Sequence, residues 1–142
     1  MLKGLDPLLS PDLLQALAAM GHGDEIALVD ANFPAAASAR RLIRLDGVDG
    51  TAVLRAVLSV LPLDSFVDRP ATTMQVVGDP AAVPPAVADY LRELAAAGSA
   101  APVDPIDRFA FYDRARAAFA IVITGEGRAY GNILLRKGVI FA

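Results

Sequence analysis

The stretch that decides the fold is Ala118-Phe-Ala-Ile-Val-Ile-Thr124, the clearest strand pattern in the chain. A short apolar run that contains β-branched residues and is followed by two glycines is typical of a buried strand that ends in a turn. We expect residues 130–135 to form its strand partner beyond that turn. A second apolar run of strand length, EIALVD at residues 25–30, lies far upstream.

Helical patterns fill much of the chain outside these two runs. Ser10 is typical of a helix cap and Pro11 of a first helical residue. Apolar spacing predicts further helices over residues 53–61, 87–94 (with Tyr90 beside the apolar face) and 108–118. Shorter strands are predicted over residues 41–45 and 74–77, whereas residues 31–39 and 99–105 are expected to be irregular. This alternation predicts an α/β fold, with one domain over residues 1–142 in which helices cover a sheet.

The composition excludes several classes of protein. The 142 residues include no cysteine and one histidine, so disulfides are excluded and a metal site is not expected. The net charge of −3 argues against a nucleic-acid partner, which a basic surface would attract. No apolar run reaches the roughly 20 residues that a membrane helix needs. The opening residues, MLKGLDPLLSPD, lack the apolar stretch of a signal peptide, so we expect a cytoplasmic protein.

Common catalytic and nucleotide-binding motifs are also missing. Residues 124–127, TGEG, have no lysine in P-loop position, and neither a GxGxxG pattern nor a GxSxG elbow occurs. We therefore predict no cofactor. Hydrophobic residues make up 55% of the chain, which is high for a small soluble protein. This excess favours an oligomer that buries apolar surface between subunits.

The turn Gly21-His22-Gly23-Asp24 is the first candidate for chemistry. Flanking glycines let the backbone turn and leave the imidazole open, and histidine both gives and takes protons near neutral pH. A solvent-exposed turn histidine without a catalytic role is about equally consistent with the local sequence. Two aspartates could act with it. Asp30 follows a strand, where ligands of α/β proteins gather, and is expected to orient His22 or to accept protons from hydroxyl groups. Asp64 follows an apolar run, and for both residues an ordinary turn aspartate is the alternative.

Two further pairs of polar side chains could bind hydroxyl groups. Arg108 and Tyr112 are four residues apart on a predicted helix and so share a face. The alternative is an interface helix whose charges pair with acids. Tyr130 and Asn132 are two residues apart on a predicted strand and would share its face. Both donate and accept hydrogen bonds, which suits a polyhydroxyl ligand but is also common on an edge strand.

In combination these motifs resemble the ribose pyranase and fucose mutarotase family. The similarity covers the turn at 21–24, Asp30-Ala31 with Pro34, and Gly125-Glu126 followed by Tyr130 and Asn132, in the family's order and spacing. The segments LPLD at 61–64 and RFAFYDRA at 108–115 are similar to the fucose branch. The resemblance implies the fold of this family. It also implies ring-shaped homo-oligomers, with a decamer as one size to test, and active sites completed by a neighbouring subunit.

The resemblance also implies a reaction and roles for the residues. His22 becomes the acid/base that interconverts the anomers of L-fucose or a related sugar, and Tyr112 becomes the second proton-transfer group. The sugar-binding positions that it implies are Asp30, Asp64, Arg108, Tyr112, Tyr130 and Asn132. A D-ribose pyranase, a sugar-binding protein without activity and a structural oligomer subunit remain as alternatives.

Overall fold

The computed structural model describes all 142 residues and contains five helices and six strands. The helices are α1 (Pro11–Ala19), α2 (Ala35–Ser38), α3 (Gly50–Leu58), α4 (Pro85–Ala96) and α5 (Arg108–Ala117). The strands are β1 (Glu25–Val29), β2 (Leu42–Leu45), β3 (Ala71–Met74), β4 (Asp104–Ile106), β5 (Ala120–Thr124) and β6 (Ile133–Arg136). Ser10 caps α1 by accepting a hydrogen bond from the Leu13 amide, and Pro11 is its first residue, as the sequence predicts.

One six-stranded sheet has the order β2-β5-β1-β6-β3-β4. The β1–β5, β2–β5 and β3–β4 pairs are parallel, whereas β6 runs antiparallel to both of its neighbours, β1 and β3. The amino end of β6 therefore lies beside the carboxyl ends of β1 and β3, and its carboxyl end lies beside their amino ends. This reversal decides which loops meet at each edge of the sheet.

Helices cover both faces of the sheet, so the α/β prediction is confirmed. The larger core lies between the sheet and α1, α3 and α4, and includes Leu13, Leu54 and Tyr90. The smaller core lies between the opposite face and α2 and α5, and includes Phe111. The strands in the middle are buried on both sides, which explains their nearly continuous apolar sequences. No helix is long and apolar enough to cross a membrane.

The predicted pairing between the strand at 118–124 and residues 130–135 is wrong. The two strands are not neighbours, because β1 lies between β5 and β6. The residues linking β5 and β6 therefore do not form a hairpin turn. Strand β6 also begins only at Ile133, so neither Tyr130 nor Asn132 lies on a strand, contrary to the prediction.

Four smaller predictions also need correction. Strand β3 ends at Met74, where the predicted strand began. The prediction missed its first residues because two of them are buried threonines, which do not stand out in a search for apolar runs. Residues 99–105 overlap β4, whose Pro105 is tolerated because the strand lies at the sheet edge. Residues 31–39 contain the single turn of α2. On α4, Tyr90 is fully buried rather than beside the apolar face.

Candidate active site

Five of the seven predicted site residues meet in one cleft at the carboxyl ends of β1 and β3. The cleft has a volume of about 280 Å³. We call it the carboxyl-end cleft. The residues that line it are Asp30, Asn32, Phe33, Met74, Arg108, Tyr112, Ala129, Tyr130 and Asn132. A larger groove of about 550 Å³ lies near the ends of α3 and α4, but of the seven predicted residues only Asp64 lines it. The smaller cleft therefore has the better set of groups for binding a polar ligand.

Asp30 and Asn132 hold each other at the floor of the carboxyl-end cleft. The Asn132 side-chain amide donates to Asp30 Oδ2 at 3.0 Å, and its oxygen accepts from the Asp30 backbone amide at 2.9 Å. The Asn32 amide donates to the other carboxylate oxygen at 3.0 Å. Burial raises the pKa of Asp30, although these hydrogen bonds act in the opposite direction. The carboxylate is therefore fixed in direction and is a better proton acceptor than an exposed aspartate.

Tyr130 enters the cleft from an unusual backbone conformation. Its φ of 60° lies in the left-handed region, which few residues with a side chain adopt. Its hydroxyl oxygen accepts a hydrogen bond from the Val77 amide at 3.2 Å, so the phenolic proton remains free to donate. From the buried side, the Tyr90 hydroxyl donates to the Gly131 carbonyl at 3.0 Å. The segment that carries Tyr130 and Asn132 is thus held from both sides.

Helix α5 provides Arg108 and Tyr112, and both line the cleft as the four-residue spacing predicts. Asp107 caps the helix by accepting hydrogen bonds from the amides of Phe109 and Ala110. The Tyr112 ring lies against Phe33, with ring centroids 5.4 Å apart. Phe111 is fully buried on the opposite side of the helix and anchors it to the smaller core. The buried face therefore fixes the direction of the face that lines the cleft.

His22 and Asp64 lie elsewhere and form a second group with Arg136, which we call the histidine cluster. His22 Nε2 is 3.1 Å from Asp64 Oδ1, and Arg136 Nε donates to Asp64 Oδ2 at 2.9 Å. The imidazole is 44% exposed, as its glycine-flanked turn predicts, whereas Asp64 is only 2% exposed. The hypothesis that Asp30 orients His22 within one chain is therefore wrong, because Asp64 makes that contact.

The electrostatics of the histidine cluster favour an ionised Asp64. Its pKa is lowered to about 2, first by the hydrogen bond from the Phe66 amide and then by those from Arg136 and His22, against the effect of burial. An ionised carboxylate can only accept, so Nε2 of His22 must carry the proton in this contact. In the neutral imidazole Nδ1 is then the free base. This arrangement suits proton transfer at Nδ1.

The two groups lie at opposite ends of β1. The turn with His22 precedes the strand and Asp30 follows it, and a strand of five residues spans about 17 Å. Pairing with β6 is consistent with this, since Glu25 lies opposite Arg136 and Leu28 lies opposite Ile133. A single sugar ring cannot reach both groups of one chain. Sequence reasoning did not reveal this separation, because it depends on the direction of each strand.

Sequence reasoning also missed Arg136 and Phe66. Arg136 is 72 residues from Asp64, and the ILLR pattern of β6 gives no local sign of an ion pair. Phe66 follows Asp64 closely, and its ring lies 5.4 Å from the imidazole, so an exposed aromatic residue near LPLD was the available signal. No three side chains of histidine, aspartate or glutamate are grouped closely enough to hold a metal ion.

Comparison with known proteins gives consistent matches over the whole chain. A model of the RbsD / FucU transport protein family matches residues 3–140. An L-fucose mutarotase of Glaesserella parasuis is 50% identical over 142 residues, covering 98% of this chain and 96% of that protein. The human fucose mutarotase is 48% identical, covering 98% and 94% of the two chains. The crystal structure of a Streptococcus pneumoniae fucose mutarotase in complex with L-fucose is 43% identical, covers 99% of this chain and 100% of that one, and superposes with a TM-score of 0.91.

Proposed function

This chain belongs to the RbsD / FucU transport protein family, and from that membership we propose that it is an L-fucose mutarotase. Such an enzyme is an isomerase that interconverts the α and β anomers of the free sugar. The observation that carries the proposal is the 50% identity to an L-fucose mutarotase over 98% of the chain. The human and Streptococcus pneumoniae relatives carry the same sugar in their names, which favours L-fucose over D-ribose.

Mutarotation needs two proton transfers and no change of oxidation state. A base removes the proton of the anomeric hydroxyl while an acid protonates the ring oxygen, and the ring C–O bond breaks to give the open aldehyde. Rotation about the C1–C2 bond presents the other face of the carbonyl. The same groups then act in reverse as the ring closes. Each well-placed acid or base contributes about 10²–10⁴-fold to the rate.

We assign the first proton transfer to His22. Asp64 holds the imidazole with Nε2 protonated, which leaves Nδ1 to exchange a proton with the sugar. The ionised Asp64 also stabilises the imidazolium that forms when Nδ1 takes a proton. Tyr112 is the second proton-transfer group in this proposal. Its phenol lines the carboxyl-end cleft and is held against Phe33.

The other groups of the carboxyl-end cleft bind the hydroxyls of the sugar in this proposal. Asp30 accepts hydrogen bonds, Tyr130 donates with its free proton, and Arg108 donates from its exposed guanidinium. Asn132 acts chiefly by fixing Asp30, because its side chain already makes two bonds to that residue. Phe33 and Met74 add an apolar wall, which suits the methyl group at C6 of L-fucose.

We further propose that each active site combines the histidine cluster of one subunit with the carboxyl-end cleft of a neighbour. The separation along β1 supports this, since one sugar would otherwise contact only half of the assigned groups. Exposed apolar side chains occur beside both groups. Phe66, Ile140 and Phe141 lie near His22, and Val77 and Phe109 lie near Arg108. Such head-to-tail contacts close into rings, and a decamer is one size to test.

Exchange NMR tests the proposed function. We expect the protein to raise the rate at which L-fucose exchanges between its α and β anomers far above the rate in buffer. This faster exchange broadens the two anomer signals. D-ribose, whose pyranose and furanose forms also give separate signals, is the matched control and should be accelerated less. Acceleration of D-ribose alone would overturn the choice of substrate. Binding of L-fucose, seen by saturation transfer, without exchange would instead favour a binding protein.

A further inference from the structure

Arg136 is the charged residue of the histidine cluster that has no role in the assignment above. We propose that Arg136 is a positioning residue: its guanidinium fixes Asp64 so that the opposite carboxylate oxygen holds His22 with Nε2 protonated. The inference rests on the proposed function for its kinetic consequences. Its structural part, the orientation and tautomer of the imidazole, does not depend on which sugar the enzyme uses.

Residue 136 contacts Asp64 through both its backbone and its side chain. The Asp64 amide donates to the Arg136 carbonyl at 3.0 Å, and Arg136 Nε donates to Asp64 Oδ2 at 2.9 Å. The remaining oxygen, Oδ1, accepts from the Phe66 amide at 3.0 Å and faces His22. Both carboxylate oxygens are thus engaged, and the carboxylate cannot rotate away from the imidazole without breaking the bond to Arg136.

The turn that carries His22 is also fixed relative to this end of β6. The Gly23 amide donates to the Lys137 carbonyl at 2.8 Å, and the Lys137 amide donates to the Asp24 carbonyl at 2.9 Å. Gly23 has a φ of +85°, and a Cβ atom there would lie 3.1 Å from Arg136 Nη2. The turn therefore packs directly on the guanidinium. Arg136 and the backbone beside it set the positions of both partners in the His22–Asp64 contact.

Four charged groups lie in or beside the turn that carries the imidazole. Asp64 contacts the imidazole, and Arg136 donates to the other oxygen of Asp64. Asp24 lies in the same turn, where its carboxylate accepts from the Gly21 amide at 2.7 Å. The Lys137 amine is directed at the carbonyls of Leu17 and Met20 at the end of α1. Arg136 is therefore the one cation that fixes Asp64, and its removal should let the carboxylate turn and weaken the preference for an imidazole protonated at Nε2.

The first test follows the His22 imidazole by NMR. Its signals need no assignment by mutation, because His22 is the only histidine in the chain. Long-range ¹H–¹⁵N spectra of the unaltered protein should show the tautomer with Nε2 protonated. In Arg136→Gln and in Asp64→Asn we expect a larger share of the Nδ1-protonated tautomer than in the unaltered protein. Arg55→Gln is the matched control, because it removes an arginine paired with Glu93 on the far helices. An unchanged share of the two tautomers in folded Arg136→Gln, or a predominant Nδ1-protonated tautomer in the unaltered protein, would overturn the proposal.

The second test separates positioning from direct contact with the sugar. Anomer exchange of L-fucose is measured over a range of sugar concentrations. We expect Arg136→Gln to lower the saturating rate about tenfold or more while the half-saturating concentration stays within about twofold. Arg136→Lys keeps the charge but cannot reproduce the Nε–H contact. Its saturating rate should therefore lie between those of the unaltered protein and Arg136→Gln. A raised half-saturating concentration with an unchanged saturating rate would mean that Arg136 binds the sugar.

The two tests remain decisive if one variant is lost. Should Arg136→Gln fail to fold, the imidazole tautomers of the unaltered protein and of Arg136→Lys still decide whether Asp64 is held as proposed. Should the unaltered protein fail to exchange any anomers, the proposed function fails on that result alone. The imidazole measurements then stand as an independent test of the contact between Arg136, Asp64 and His22.

Discussion

At the scale of single residues, Asp64 shows how burial and ionisation can coexist. Water contributes little to its solvation, since only 2% of the residue is exposed. Three hydrogen-bond donors replace that water: the Phe66 amide, Arg136 and His22. Together they outweigh the effect of burial and lower the pKa to about 2. The same contacts that hold His22 in place therefore also link the stability of the fold to pH.

Asp64→Asn should destabilise the protein most at neutral pH. The folded-state pKa of Asp64 lies below the unfolded value of 3.8, so its charge stabilises the fold above about pH 4. That stabilisation is lost as the pH falls from about 4 to about 2. Urea unfolding followed by circular dichroism at pH 7, 4 and 2.5 gives the free energy of unfolding of both proteins. The difference between Asp64→Asn and the unaltered protein should become smaller as the pH falls. Asp113→Asn, which removes one partner of an exposed ion pair, is the control and should differ little from the unaltered protein at any pH.

At the scale of elements, the packing of α3 against α4 supports the cleft from behind. Tyr90 of α4 is 1% exposed, and its hydroxyl donates to the carbonyl of Gly131, between two residues of the cleft. The first residue of α3 must be small for this bond to form. A Cβ atom on Gly50 would lie 2.1 Å from the Tyr90 hydroxyl oxygen. Two helices that do not line the cleft therefore influence the position of Tyr130.

Tyr90→Phe should lower the free energy of unfolding by about 1–3 kcal/mol, because a buried carbonyl loses its partner. It should also raise the half-saturating sugar concentration, since the Tyr130 segment loosens. Gly50→Ala should destabilise by displacing the same hydroxyl. The loss of stability in the double variant should be smaller than the sum of the two single losses. Urea unfolding of the unaltered protein, the two single variants and the double variant measures that coupling. Full additivity would contradict the proposed clash.

The sequence allowed prediction of elements whose cause is local. The cap at Ser10, the strand of β5 and the shared face of Arg108 and Tyr112 each follow from neighbouring residues. Features that depend on distant pairing could not be predicted in this way. The place of β6 beside β1 rather than β5 is one such feature, and the contact of Asp64 with Arg136 is another.

Family resemblance added the set of site residues but not their arrangement in one chain. It implied that a neighbouring subunit completes the site, but not that His22 and Asp30 lie at opposite ends of β1. Strand direction causes this separation, because a turn before a strand and a loop after it lie at opposite edges of the sheet. For the same reason, the carboxyl-end cleft could be anticipated from the strand ends, but the separate histidine cluster could not.

At the scale of the whole molecule, the shared-site proposal makes a specific prediction about mixtures. His22→Ala alone and Tyr112→Phe alone should each form oligomers that exchange anomers far more slowly than the unaltered protein. His22 is exposed, and Tyr112→Phe keeps the ring that packs on Phe33, so we expect both variants to fold, with a loss of stability limited to the contact between His22 and Asp64. Light scattering should give a mass several times 14.8 kDa for all three proteins.

Mixed oligomers of the two variants should regain activity. When the two chains are unfolded, mixed in equal amounts and refolded, about one quarter of head-to-tail junctions combine an intact His22 with an intact Tyr112. Anomer exchange by the mixture should then recover toward that fraction of normal activity. Oligomers refolded separately and mixed afterwards are the control and should stay slow. Absence of recovery in co-refolded oligomers would mean that His22 and Tyr112 do not act across an interface.

The position of β6 also has a consequence for synthesis of the chain. The last strand made lies in the middle of the sheet and joins the three-stranded portion β2-β5-β1 to the pair β3-β4. While the ribosome is still translating residues before 133, these two portions have no shared neighbour, and the edges of β1 and β3 are unpaired. Closure of the sheet must therefore await residues 133–136, and long-range pairing of this kind slows folding. Until β6 has left the ribosome, β1 and β3 each have one edge without a strand partner, and we expect this incomplete sheet to be prone to aggregation.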